Sequence, residues 1–399
     1  MALRILQLTK KVPIPPLDGE AVAVLSMSKA YSSLGHSVDL LSFNTKKHFV
    51  DPASIDSNSH CYNNISTVYL DASVSLFDAV KCLFAQKSYN IERFISTSFE
   101  QALIQLLKEN TYDIIQLESL YMGPYIKTIR EHCQAKVVMR SHNIESEIWS
   151  DLSRESKSLI KKKYFNHCSR LLSEYEYKLL KDYDVLLTIS DLDYNYYKNI
   201  NSQLRIINIP VGLDMDEYSN SVLTEREYLK YGYLGSLDWL PNIEALKWLL
   251  DNVVGKFTEN NPFEFHIAGR NPGEWIERYA LEANIVIHGE VADAKCFIQD
   301  LDVMLVPLFS GSGIRVKILE AMAMGKVVVS TSKGFESIGV THMENALIAE
   351  SEEDFIQMIL FLNENPNMAI SIGKNAEKHI RDNFDRNTLA QKALTFINN

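Results

Sequence analysis

The chain has 399 residues, and its 46% hydrophobic and 23% charged content excludes a disordered polymer and fits a globular protein of two or three domains at roughly 100–200 residues each. Its net charge of −11 is uneven: residues 1–210 hold 24 Lys+Arg against 23 Asp+Glu, and residues 211–399 hold 16 against 28, so neither half has the basic excess of a nucleic-acid-binding surface. No apolar run approaches the ~18–20 residues needed to span a bilayer, and five scattered cysteines (Cys61, Cys82, Cys133, Cys168, Cys296) without CxxC spacing point to reduced thiols in a cytosolic protein, against a zinc site or disulfide scaffold.

The N-terminal "MALRILQLTK" is too short for a signal peptide and reads as a first strand, "LRILQLT" (3–9). A proline-rich loop, "KKVPIPPLDGE", leads into a helix over Ala21–Leu34 that Gly35 stops. The next strands are "SVDLLSF" (37–43), "DIIQLE" (113–118), "AKVVMR" (135–140), "DVLLTIS" (184–190) and "LRIINIP" (204–210). Long helical stretches separate them. One runs from Asp151 to Tyr183, where Lys157 and Lys161 to Lys163 lie beside Leu159, Ile160, Tyr164 and Phe165. That face is either a solvated charged surface or a contact for anionic lipid headgroups or a lipid diphosphate.

After the polar, aperiodic stretch 210–227 the rhythm restarts with "YLKYGYLG" (228–235), "FEFHIAG" (263–269), "NIVIHG" (284–289), "DVMLVP" (302–307) and "KVVVST" (326–331). The segment from about Pro366 is helical throughout. Strands alternating with helices predict parallel α/β sheets. The break predicts two domains, 1–211 and 212–399, with the last helix a candidate to pack back on the first.

"PLFSGSGIRVKILEAMAMGKVVVST" (307–331) carries the chemistry. Ligands of open parallel sheets bind beyond the carboxyl ends of the strands, and "LFSGSG" follows such an end. Gly311 and Gly313 permit a sharp turn and close approach, and a helix beginning near Ile314 presents free amides to a phosphate. Arg315 adds a fork-shaped cation and Lys317 a point charge. Two residues is over half a helical turn, so both reach one ligand only if Arg315 belongs to the turn before the helix. Glu320, among apolar neighbours, needs donors, which a ribose diol supplies. A Lys317–Glu320 surface pair, worth only about 0.2–0.5 kcal/mol, is the alternative.

This segment resembles the donor site of retaining GT-B glycosyltransferases of family 4, the "glycosyl transferases group 1" type. Similar stretches follow in order along the whole chain: "PIPPLDGEAVAV" (13–24), "MRSHNIESEIW" (139–149), "YDVLLTISDLD" (183–193), "IPVGLDMDEY" (209–218), "YGYLGSLDWLPNIEAL" (231–246), "FHIAGRNP" (265–272), "NIVIHGEVAD" (284–293) and "ENALIAES" (344–351). The resemblance implies two Rossmann-like parallel-sheet domains facing across a cleft (GT-B), with a nucleotide-diphosphate sugar on the C-terminal domain and a saccharide or lipid-linked acceptor on the N-terminal one. It implies neither metal nor cofactor, and no nucleic-acid partner.

By this resemblance Glu320 holds the nucleotide ribose. The family's other glutamate, eight positions earlier, is Ser312 here, as in a GxGxRxKxxE subgroup. The Arg and Lys that clamp the diphosphate after the domain's first strand in many members are absent from "GSLDWLPN", so the clamp falls to Arg315 and Lys317. Ser236 and Arg270 are further donor-side candidates at strand ends, and Gly19 opens the first helix toward the donor or acceptor. His142, in "RSHNIE", would line the reaction centre as a positioning donor, with Glu118 and Glu145 as lesser candidates.

The resemblance implies a retaining transferase, expected to serve cell-surface glycan synthesis and to be cytoplasmic or peripheral at the inner membrane face. A nucleotide-sugar epimerase of the same fold and a non-catalytic nucleotide-sugar-binding protein are the rivals.

Overall fold

A computed structural model of the chain describes residues 2–55, 61–73, 82, 85–218, 229–257, 264–282, 284–310 and 315–399. Two compact units result. The first comprises Met1–Gly212 with Arg386–Asn399, and the second Leu213–Asp385.

Near-continuous apolar strands need cover on both faces, which parallel sheets flanked by helices provide. In the first unit β1 (Arg4–Thr9), β2 (Ser37–Thr45), β3 (Asn64–Leu70), β4 (Ile114–Glu118), β5 (Lys136–Ser141), β6 (Val185–Thr188) and β7 (Ile206–Asn208) form one parallel sheet in the order β3-β2-β1-β4-β5-β6-β7. In the second, β8 (Lys230–Leu234), β9 (Glu264–Ala268), β10 (Ile285–Gly289), β11 (Val303–Val306), β12 (Val327–Ser330) and β13 (Leu347–Ile348) form another, ordered β10-β9-β8-β11-β12-β13. Each order reverses at the centre, between β1 and β4 and between β8 and β11. Such switch points are where parallel sheets receive ligands. The described helices include none long and apolar enough to cross a membrane.

Several sequence expectations need correction. β3 and the two-residue β13 were not predicted: β3 is a half-exposed edge strand with Tyr69 facing out, and so has no continuous apolar run. The helical stretch over 151–183 is two helices, Glu145–Glu155 and Leu159–Leu179, because Ser156 turns extended and Ser158 caps the second through the Lys161 amide. The C-terminal segment likewise breaks at Asp385, which is extended and bridges Leu213. The helix Arg386–Asn398 then joins the first unit. It buries Leu389, Ala390, Ala393, Leu394 and Ile397 beside Leu25 and Ala30 of the Gly19–Ser33 helix, one amphipathic face. Lys136 and Arg205 donate to its terminal carbonyls at Ile397 and Phe396. Of the supposed linker, Met215–Tyr218 is a turn with Met215 and Tyr218 buried in the second core, and 219–227 lies outside the described residues.

Backbone crowding fixes the edge of the second sheet. The Gly235 amide donates to the Ala268 carbonyl at 3.1 Å, and the Leu237 amide to Arg270 at 2.8 Å. A Cβ on Gly269 would overlap the Gly235 carbonyl oxygen. Backbone cannot yield as a side chain can, so Gly269→Ala should destabilise the chain by about 1–3 kcal/mol, read as a lower urea midpoint. An unchanged midpoint would show that these strand ends have slack.

Candidate functional site

In the second unit the helix Val316–Ala323 follows β11, with Arg315 as its N-cap residue. Arg315 therefore lies in the turn and not in the helix, as joint use with Lys317 requires. Gly311, Ser312, Gly313 and Ile314 lie outside the described residues, and the helix itself begins two residues later than the sequence suggests. The Arg315 guanidinium donates to the Ser310 carbonyl at 3.4 Å. Burial holds its pKa below the usual arginine value, against the field of Glu336.

Lys317 crosses the switch point from β11 to β8. Its ammonium donates to Asn242 Oδ1 at 3.0 Å and to the Tyr233 hydroxyl at 3.3 Å, and lies 4.4 Å from the Tyr233 ring centroid. Those partners are neutral, and among the described residues no carboxylate forms an ion pair with Lys317. Burial, then the neighbouring Arg315 charge, pushes its pKa down to about 7. Asn242 donates onward to the Ser236 carbonyl at 3.0 Å, so Lys317, Asn242 and the loop after β8 form one unit.

Ser236 and Arg270 sit at this edge with a qualification. The Ser236 hydroxyl donates to Asp238 at 2.6 Å, and Asn271 donates to the other Asp238 oxygen at 2.9 Å. The Ser236 proton is thus engaged within its own loop. Arg270 is exposed, and its field reaches Asp238, whose pKa is lowered chiefly by the Ser236 and Asn271 hydrogen bonds.

Glu320 does not pair with Lys317. It accepts from the Tyr218 hydroxyl at 3.1 Å, and burial raises its pKa against that bond. Lys295 stands 4.6 Å from the Tyr218 ring centroid and pairs with Glu217. The carboxylate is partly enclosed, with one protein donor among the described residues.

Gly19 and His142 belong to the first unit. Gly19 is the first residue of its helix, capped by Asp18, and a Cβ there would meet nothing, so packing does not demand glycine. His142 follows β5. Strand register sets Glu118 between Thr9 and Arg140. There Glu118 accepts from His142 Nε2 at 2.8 Å, from Gln7 at 3.1 Å and from Arg140 at 3.5 Å. Burial would raise the Glu118 pKa, but Arg140 and His142 outweigh it and hold it low. His142 is itself buried, its ring fixed by Glu118 and its Nδ1 without a hydrogen-bond partner.

Beside it, Lys10 pairs with Glu20 at 3.1 Å and stacks 4.6 Å from the Tyr121 centroid, while Tyr121 donates to Glu145 at 2.7 Å. Sequence reasoning missed Tyr218, Tyr233, Asn242, Lys10 and Glu20. Only their places inside the quoted stretches 231–246, 209–218 and 13–24, or just before the last, could have flagged them.

Residues 229–365 match the family model "Glycosyl transferases group 1". A curated relative, an uncharacterised 44.6 kDa protein in the cps region of Klebsiella pneumoniae, is 26% identical over 395 residues, covering 96% of each chain. Sucrose-phosphate synthase of Thermosynechococcus elongatus is similar in structure at TM-score 0.69 and 16% identity, over 98% of each chain. Anabaena HepE, in complex with UDP and glucose, gives 0.67 and 14% over 99% of each. S. aureus TarM, in complex with fondaparinux, alpha-GlcNAc-glycerol and UDP, gives 0.68 and 13% over the full length of both. With its two parallel sheets, each reversing order at the centre, and a group 1 domain across the second, the chain is a glycosyltransferase of GT-B fold.

Proposed function

We propose that the chain is a retaining glycosyltransferase that moves a sugar from a nucleotide-diphosphate sugar to a hydroxyl of a saccharide or lipid-linked acceptor. The observation that carries the donor assignment is Lys317, a cation held at the switch point by neutral oxygens. A diphosphate beside it gives the Lys317 ammonium a counter-charge, with the Arg315 guanidinium next to it as a second cation. Glu320, on the same helix, takes the ribose hydroxyls as donors for its second oxygen. UDP in the HepE and TarM complexes makes uridine diphosphate the first nucleotide to test.

In the transfer, the acceptor oxygen bonds to the anomeric carbon as the bond to the diphosphate oxygen breaks. The electron pair leaves with the diphosphate, which takes the acceptor's proton on the same face of the sugar. Arg315 and Lys317 act by stabilising that departing charge. His142, held by Glu118, is a positioning donor in the first unit, which we assign to the acceptor. The relative in a cps region supports a role in capsule polysaccharide synthesis; a cytoplasmic location is part of the same proposal.

We also assign the exposed Leu159, Ile160 and Lys161 to Lys163 to peripheral contact with an anionic membrane. Vesicles containing phosphatidylglycerol should co-sediment the wild type and release the Leu159→Glu, Ile160→Glu double variant. Equal sedimentation of both would remove this contact.

Arg315→Ala and Glu320→Ala should each lower kcat/KM with the cognate donor by about 100-fold or more while the melting temperature holds. Full activity in both variants would refute the site.

The Lys317 pKa of about 7 gives a second test. An unfolded lysine binds its proton up to its ordinary pKa, so between those values the unfolded state holds more protons and stability of the free protein rises with pH. A diphosphate favours the charged ammonium. Binding of UDP at about pH 8.5 should therefore take up a proton, measured by calorimetry in buffers of different ionisation enthalpy. Lys317→Ala should abolish the uptake, and uptake unchanged in that variant would place the coupling elsewhere.

A further inference from the structure

A cavity of about 610 Å³ opens at the C-terminal edge of the first sheet, lined by Lys10, Lys11, Glu20, Lys47, Arg93 and Tyr121 among others. Its volume suits a small saccharide. The loops after β1, β2, β3 and β4 all contribute, so the sheet itself gathers these side chains. Phe94 and Tyr121, with ring centroids 5.0 Å apart, add apolar edges to one wall.

The lining charge is lopsided. Lys10, Lys11, Lys47 and Arg93 stand against Glu20, a net of +3 from four minus one, with His48 neutral. Asp18, which pairs with Lys11, lowers that excess to +2. Glu20 pairs with both Lys10 and Lys11. Glu145 also acts on Lys10: burial lowers the Lys10 pKa, but Glu20 and Glu145 outweigh it. Lys10 and Lys11 are thus balanced within the protein.

Lys47 and Arg93 are not. Neither forms an ion pair among the described residues. Arg93 is half-buried, 5.3 Å from the Phe94 centroid, and its buried Nε has no hydrogen-bond partner among the described residues. A buried donor left unmet is costly, and an oxyanion would meet it. His48, after β2, is held below its ordinary pKa by burial first and then by the fields of Lys11 and Lys47, against those of Asp18 and Glu20.

We propose that this cavity recognises an anionic group on the acceptor, a phosphate ester or a uronate carboxylate, through the Arg93 fork and the Lys47 ammonium. The inference rests on the assignment of the first unit to the acceptor and narrows the acceptor to an acidic one. Arginine's planar donors match either oxyanion in a two-pronged contact, and a lysine beside it adds charge without demanding geometry.

The test is calorimetric titration of the full chain, saturated with UDP, with methyl glucuronoside, methyl glucoside 6-phosphate and neutral methyl glucoside. Both charged probes, or one of them, should bind at least about tenfold more tightly than the neutral one, and the preference should shrink as salt rises. Lys47→Glu, a change at an exposed residue, and Arg93→Ala should each erase the preference while melting temperature and UDP affinity stay at wild-type values.

Binding confined to a prenyl diphosphate sugar in detergent micelles, with the same sensitivity to both substitutions, would support the inference with a lipid-linked source for the anion. Equal affinity for all probes, or a preference that survives both substitutions, would overturn it. Failure of UDP to bind the wild type strikes the donor assignment alone, because the probe comparison and both variants concern the first unit.

Discussion

A lysine ammonium enclosed beside an arginine, with only a phenol and an amide oxygen among the described residues to receive its protons, is the constraint on which the second unit's proposed chemistry depends. Tyr233 comes from the end of β8, Asn242 from the helix after it, and Lys317 from the helix after β11. Three elements meet on one charge because the strand order reverses between β8 and β11. Desolvation alone would favour a neutral amine. Negative charge beside the group would favour its ammonium form, and in the proposed reaction the leaving diphosphate is that charge.

The first unit solves the opposite problem. Its switch point holds a fully buried carboxylate, Glu118, and surrounds it with donors: His142, Arg140 and two glutamines. Breaking such a buried pair typically costs about 3–5 kcal/mol, so the cluster is a rigid base from which His142 is aimed. Its neighbours Lys10 and Lys11 are likewise balanced by Glu20 and Asp18. Against this compensated background Arg93 and Lys47 stand out as cations that form no ion pair among the described residues.

The alternation of apolar strands and helices was legible because parallel strands are buried on both faces and cannot hide their composition. β3 and β13 were not, since an edge strand and a two-residue strand have no such run. Helix breaks at Ser156 and Asp385 escaped notice because neither Gly nor Pro marks them.

At the site, Arg315, Lys317 and Glu320 could be read from spacing and family resemblance. Their partners could not. Tyr233 and Asn242 touch Lys317 across more than seventy positions of sequence, and Tyr218 reaches Glu320 across about a hundred. Contacts of that span depend on sheet order, which a local pattern does not encode. Ser236 shows the converse: a hydroxyl that looks available in sequence is taken by a carboxylate two residues away.

The most direct measurement is a crystal structure of the chain with a nucleoside diphosphate bound. The account predicts phosphate oxygens within hydrogen-bond distance of Lys317 Nζ and the Arg315 guanidinium, and ribose hydroxyls on Glu320. A nucleotide seated away from β8 and β11, or one that leaves Lys317 facing only Tyr233 and Asn242, would contradict it.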